Sequence, residues 1–371
     1  MDNLFYNSET SVNNIAMLIF DAHLDLSMNA MEWNRDYTQP IAQIRKREAH
    51  LTDKPDRGKG VISFEEMRKG GVHICVATLI ARYVKPSSAL PGWNSPFQAW
   101  AQTQAQLAWY NTMEKIGELT QIYDYDSLEM HLNNLKAEST NKKPIGYILS
   151  LEGADSFYSL DCVDTMFEAG LRAIGPAHYG PGTYSFGTDS DGPLSSKGKE
   201  LLKKMSDYNF ILDLTHLSDQ CFWEALDLYG GAVWASHHLC RSITPHNRQL
   251  SDEQIKAIIN RNGVIGMAFD NWMIVPNWKR GESTPIDLKV NIAKVIDHID
   301  HICQIAGNTN HVGIGSDLDG AFGKEQSPYD LETIADLAKL ENILEKRGYS
   351  EDDINNILHR NWINFLKNHW E

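Results

Sequence analysis

Eight short apolar runs, each followed by a helical pattern and each ending in polar residues, predict a closed (β/α)8 barrel of the TIM type. Alternating strands and helices imply parallel strands joined by crossover helices, and eight such units suffice to close a barrel. The third observation is where the titratable residues fall. His23 and Asp25, Glu152, His178, His216, His237, Asp270 and Asp317 all stand at the ends of runs. In a barrel those ends share one pole, where the chemistry sits. An open doubly wound sheet is the structural alternative, but no GxGxxG follows the first run. Residues 1–371 are read as one barrel domain with an N-terminal extension and closing helices, because α/β barrels often run this long as a single unit.

The runs are taken in order. Residues 18–26 end in His23-Leu24-Asp25. A polar segment, 28–60, leads over the top of the fold, with a loop at 52–58. Ser63 and Glu66 read as a capping box that starts a helix. The second run is 72–80, followed by a Pro/Ser/Gly/Trp loop at 86–96 and a helix over about 97–119. The third is 145–153, ending in Glu152-Gly153. A helix over 163–169 leads to the fourth, 171–178, ending in His178. A Gly/Ser/Thr/Asp loop at 179–192 and a helix over 195–208 precede the fifth, 210–216, ending in His216. The sixth, 232–238, carries His237 and His238 between helices at 219–229 and 252–260. The seventh, 264–270, ends in Asp270, and a long helix is expected over 287–305. The eighth, 311–317, ends in Asp317, and helices over 331–346 and 352–366 close the chain.

Composition narrows the function. The chain is 42% apolar and 22% charged, as ordinary globular proteins are. Its 34 Lys+Arg against 49 Asp+Glu give a formal charge of −15, which disfavours nucleic acid as a partner and favours solubility. The five cysteines are scattered, with no CxxC, so reduced thiols and a cytoplasmic location are expected. Residues 1–17 are polar and carry Asp2 and Glu9 where a signal peptide would have a basic then apolar region. No apolar run reaches the length of a membrane span, so no membrane anchor is expected.

His23 and Asp25 offer an imidazole nitrogen and a carboxylate oxygen two residues apart, a spacing that puts both on one side of an extended segment. That is half of an N/O site of the kind zinc accepts. A buried strand ending in two ordinary polar residues is the plainer alternative. His216 and His237 stand at consecutive strand ends. His238 would point the opposite way and is left out, and His50, His73, His246 and His311 have no partner pattern.

At these residues the chain resembles the membrane (renal-type) dipeptidases, zinc peptidases of the amidohydrolase superfamily. The resemblance rests on Asp21-Ala22-His23-Leu24-Asp25, Leu151-Glu152-Gly153, Asp213-Leu214-Thr215-His216-Leu217-Ser218, Ser236-His237, Asn247-Arg248 and Gly315-Ser316-Asp317-Leu318-Asp319-Gly320, in that order along nearly the whole chain. It implies two zinc ions per chain, one held by His23 and Asp25, the other by His216 and His237, with Glu152 and a water or hydroxide bridging them. It implies that the bridging hydroxide attacks the peptide bond, that Asp317 carries its proton to the leaving amine, and that His178 stabilises the oxyanion. Arg248 would hold the substrate's C-terminal carboxylate, and a D-residue would be tolerated on that side. Asp213 reads as a group that supports the site or fills the barrel interior, and Asp21 and Asp319 as loop residues or supports of the site. The expected partner is a small peptide substrate, and a homodimer is kept open as the assembly. One departure concerns Phe269-Asp270-Asn271-Trp272, where the family carries a pocket aromatic near the place of Asp270. The loops at 86–96 and 180–192 are expected to shape the pocket mouth. Two rival readings are another amidohydrolase, acting on N-acyl amino acids or cyclic amides, and a catalytically silent ligand-binding barrel.

Overall fold

A computed structural model describes residues 17–86, 88–137 and 143–370. The N-terminal stretch read for a leader therefore lies outside the described residues, apart from Met17, and Ser87 lies outside them in the 86–96 loop. Among the described residues, nine parallel strands form one sheet: β1 (Ile19–Leu24), β2 (Val72–Leu79), β3 (Leu119–Gln121), β4 (Ile145–Glu152), β5 (Leu171–Gly175), β6 (Ile211–Asp213), β7 (Val233–His238), β8 (Ile265–Met267) and β9 (Val312–Ile314). Their order is β2-β1-β9-β8-β7-β6-β5-β4-β3, and a further pairing of β2 with β4 closes the ring.

The eight expected strands make the barrel, and β3 is a ninth. β4 is eight residues long, and its pairing with β5 starts only at Leu149. The first part of its edge is free, and Leu119, Thr120 and Gln121 pair there with Ile145, Gly146 and Tyr147. With one apolar residue in three, that segment has no strand signature of its own.

The barrel interior is filled by side chains, as this fold requires. Phe20, Ile74, Val76, Ile148, Ala173, Ile211 and Trp234 are buried together. Trp362, from the closing helix Asn361–Trp370, joins them, with its ring 6.0 Å from Phe20 and 5.8 Å from Trp234. Its Nε1 donates to the Ile314 carbonyl at 3.0 Å. A Cβ at Gly313 would lie 2.2 Å from that nitrogen, so this strand position admits only glycine. Trimming Trp362 to alanine would cost about 3–5 kcal/mol.

Helix boundaries differ from expectation where local chemistry overrides pattern. Ser63 caps the helix Phe64–Lys69 through Glu66 N, but the Glu66 carboxylate accepts from Thr333 instead of closing a box. The helix expected over 287–305 is confined to Ala293–Ala306. Three elements cover the last expected helix, Glu351–Asn355, a π-helical turn at Asn356–Arg360, and Asn361–Trp370. The polar segment after β1 contains the helices Leu26–Glu32 and Ile41–Glu48. All five cysteines are unpaired, and no helix among the described residues is long and apolar enough to cross a membrane.

Candidate metal centre

The strand ends deliver their side chains through local irregularities. β1 slips register on β2 between Asp21 and Leu24, and such a bulge re-aims the side chain it carries, here His23. Asp25 lies past the strand, at the N-cap of the helix Leu26–Glu32, without capping it. Its Oδ1 accepts from the Thr78 hydroxyl instead. A bulge and a turn, not strand alternation, bring His23 Nε2 to 3.6 Å from Asp25 Oδ1. Glu152 ends β4, and Gly153 leaves it at φ 77°. His216 and Asp317 lie beyond β6 and β9 at φ 67° and 58°. Left-handed backbone at such residues persists only where the surroundings over-determine it, and it collects at functional sites.

The expected residues converge. His216 Nε2 lies 3.2 Å from Glu152 Oε1 and 3.2 Å from His237 Nε2, and His237 Nε2 is 3.5 Å from the same Glu152 oxygen. On the other oxygen, Oε2, His23 Nε2 stands at 3.6 Å. Asp317 Oδ1 is 3.9 Å from His23 Nε2, and His178 Nε2 is 3.9 Å from Glu152 Oε1. A tetrahedral zinc ion with ligands at about 2.0–2.1 Å spreads them about 3.3 Å apart. Both donor sets fall near that spacing. His23 Nε2 and Glu152 Oε2 are buried with no hydrogen-bond partner, a costly state that a cation would relieve. The residues therefore fit a metal. Sets able to hold one are His23 with Asp25 and Glu152, His23 with His237 and Asp317, and Glu152 with His178 and His216.

The electrostatics agree. Burial pushes His216, His237 and His178 well below the usual imidazole range, helped by Arg248 beside His216, by His23 beside His237 and by Arg82 beside His178. They are neutral, the form that ligates. Burial also acts to lower His23, but the carboxylates of Glu152 and Asp25 outweigh it and hold it well above the usual range. Burial raises Glu152 and Asp317, partly offset in each by His23. A proton on His23 stands where a metal charge would serve the same carboxylates.

The supporting contacts fix which nitrogen faces the centre. The Thr188 hydroxyl lies 2.8 Å from His216 Nδ1. The Ser236 hydroxyl lies 2.9 Å from His237 Nδ1 and 3.4 Å from His23 Nδ1. With each Nδ1 engaged, Nε2 is left for an ion. Asp21 accepts from Ser316 N at 2.7 Å, Asp213 from Thr215 N at 3.0 Å and Ser236 N at 3.1 Å, and Asp319 from Val61 N at 2.8 Å.

Arg248 is 2% exposed and lines the pocket. It donates to the His237 carbonyl at 2.8 Å and contacts His238 Nδ1 at 3.1 Å, so His238, set aside on sequence, braces this guanidinium. Arg82 lies against His178 Nδ1 and carried no sequence signal. The cleft over the cluster has a volume of about 730 Å³. Its walls come from Trp272, Met273, Trp278 and residues 280–285, from residues 320–322 with Glu325 and Gln326, and from Pro55 and Lys59. Among the described residues neither stretch expected at the mouth, 86–96 or 180–192, lines it, though Tyr179 just before the second does. The 180–192 loop folds back through the bridges Tyr179–Thr188 and Pro181–Phe186 and carries the Thr188 that holds His216. The 86–96 loop is tied down by a Tyr83–Trp93 bridge.

Relatives and solved structures point the same way. The chain is 30% identical over 238 residues to a Klebsiella pneumoniae protein encoded in the pqqA 5′ region, covering 62% of this chain and 84% of that protein. It is 25% identical over 268 residues to the dipeptidase tcpJ of Claviceps purpurea, covering 69% of this chain and 59% of the relative. In structure it resembles dipeptidase AC, a metallo peptidase of family M19, with TM-score 0.76 and 21% identity over 95% of this chain and 99% of that one. It also resembles a Rhodobacter sphaeroides metallo peptidase solved with a phosphinate mimic of L-Ala-D-Ala, with TM-score 0.75 and 21% identity over the same shares. The model of the membrane dipeptidase family matches residues 12–369, a span that takes in every strand of the barrel and the whole cluster of imidazoles and carboxylates. By that match the chain belongs to the membrane dipeptidases, peptidase family M19, a family of metal-dependent hydrolases.

Proposed function

We propose that this chain is a zinc-dependent dipeptidase acting on dipeptides with a free C-terminal carboxylate, and that its residues would hold two zinc ions. His23, Asp25 and Glu152 Oε2 would hold one, and His216, His237 and Glu152 Oε1 the other. A carboxylate shared between two cations offsets their repulsion. Bound zinc supplies a polarised carbonyl and a water acidic enough to attack near neutral pH. The chain's own residues do the rest. Asp317, at the rim of the cluster, takes a proton and passes it to the leaving amine. His178 presents Nε2–H to the oxyanion. Arg248 holds the C-terminal carboxylate with the donors that its two backing contacts leave free.

One observation supports the reading. The ligand atoms of His23, Asp25, His216 and His237 gather around the Glu152 carboxylate, and two atoms of this cluster, His23 Nε2 and Glu152 Oε2, are buried and orphaned. A D-residue on the C-terminal side belongs to the proposal, since Arg248 and the metals fix the carboxylate and carbonyl while the side chain faces the wide mouth. The ligand seen in the Rhodobacter relative supports this. The unpaired cysteines support a cytoplasmic location.

Chelation should abolish hydrolysis of a dipeptide panel, and zinc should restore it, with two ions bound per chain. Equal turnover of N-acyl amino acids and dipeptides would favour the other amidohydrolase reading. Absence of turnover with zinc fully loaded would favour the silent barrel.

A further inference from the structure

The departure at Asp270 has a structural counterpart at the pocket mouth. Asp270 is buried at the end of β8 and pairs with Arg280, whose NH2 lies 3.4 Å from Asp270 Oδ2. Arg280 lies over Trp272, its guanidinium carbon 4.6 Å from the ring centre, and Tyr179 belongs to the same cleft lining. All four residues line the cleft. Tyr179 also stands beside Arg248. The cleft thus has two guanidinium groups on the Tyr179 side, one deep and buried, one at the mouth with 55% of its side chain exposed. In a chain of net charge −15 this pairing is not a by-product of composition.

Arg280 is held in place yet weakly engaged. Its contact with Asp270 is long, and Asp270 already accepts from Gln326 Nε2 at 2.9 Å and Trp272 N at 3.2 Å. Arg280 can therefore turn to a ligand without orphaning a buried carboxylate. Stacking on an indole fixes the plane of the guanidinium while leaving its edge free for a bidentate acceptor.

Resting on the dipeptidase reading above, we propose that Arg280 selects dipeptides whose C-terminal residue carries a second carboxylate, an aspartate or a glutamate. Arg248 takes the α-carboxylate. The side chain of that same residue then lies toward Tyr179 and the mouth, where Arg280 takes the side-chain carboxylate.

The test compares kcat/KM for Ala-Asp against Ala-Asn, and for Ala-Glu against Ala-Gln, with zinc-loaded enzyme. The acidic member of at least one pair should be favoured by about tenfold or more, the worth of a charge-assisted hydrogen bond. Arg280→Gln should bring that ratio close to one, mainly through KM, and Arg280→Glu should invert it. Equal efficiency on acid and amide in the wild type, or a ratio that Arg280→Gln leaves unchanged, overturns this inference alone. Failure to hydrolyse these four while other dipeptides are turned over overturns this inference alone, and failure on every dipeptide of the panel with zinc loaded overturns the dipeptidase reading and this inference with it.

Discussion

The guanidinium of Arg82 lies against Nδ1 of His178. Arginine only donates, so that nitrogen must offer its lone pair, and the ring proton sits on Nε2, facing the centre. This separates two roles that position alone leaves mixed. His178 is close enough to Glu152 and His216 to join them on an ion, yet a protonated Nε2 cannot ligate. It can donate to a developing oxyanion.

Replacing Arg82 by methionine should therefore lower kcat by about tenfold to a hundredfold while moving KM little, as expected when an oxyanion donor loses its alignment. Affinity for a phosphinate dipeptide mimic should fall by a similar factor, with zinc content unchanged and Arg82→Lys partly restoring both. Steady-state kinetics with inhibitor titration decide it. A rise confined to KM would place Arg82 in substrate binding instead.

Glu152→Gln should weaken both metals, because a neutral amide cannot serve two cations. A loss of at least about a hundredfold in affinity is expected, the upper end of what removing even an indirect support costs. Native mass spectrometry against a zinc buffer series reads it directly, and two tight ions in the variant would refute the shared carboxylate.

Arg248→Ala should raise KM for dipeptides by about a hundredfold, in line with the loss of a buried charge-assisted pair. C-terminally amidated dipeptides should be affected far less. Equal effects on acid and amide substrates would move the guanidinium away from the carboxylate.

Stability should fall on acidification through histidines remote from the site. Burial pushes His298 down to about 4, against the hydrogen bond it makes to the Ile274 carbonyl and the pull of Asp297. The unfolded chain takes up this proton near 6.5 and the folded chain only near 4, so stability is intact above pH 6.5 and is lost as pH falls through that interval. The full loss is about 3 kcal/mol. Urea midpoints at pH 7.5 and 4.5 should fall less far apart in His298→Gln than in the wild type.

The eight barrel strands could be read from the chain because each is a continuous apolar run, and the candidate site residues could be read because each closes such a run. His216 and Asp317 were visible this way although the backbone turns them out of the strand. Arg82 was not visible, since its partner lies 96 residues further on and no spacing links them. Arg280 escaped for a related reason. It lies in a stretch of turns after the short helix Asn271–Ile274, where neither period of hydrophobicity applies and only contacts with Trp272 and Asp270 give it a place. Thr188 sat in a loop whose composition announced a turn, not a hand on His216.

The corners at which His216 and Asp317 leave their strands set where this protein can change. At φ 67° and 58° the main chain itself aims these two groups, so most replacements there would shift the corner as well as remove the chemistry. Residues 276–285 aim none of the clustered imidazoles and carboxylates, although Asn277 there also stands at φ 67°. Laboratory evolution toward new substrates should accumulate its changes in that stretch, leaving the corners untouched.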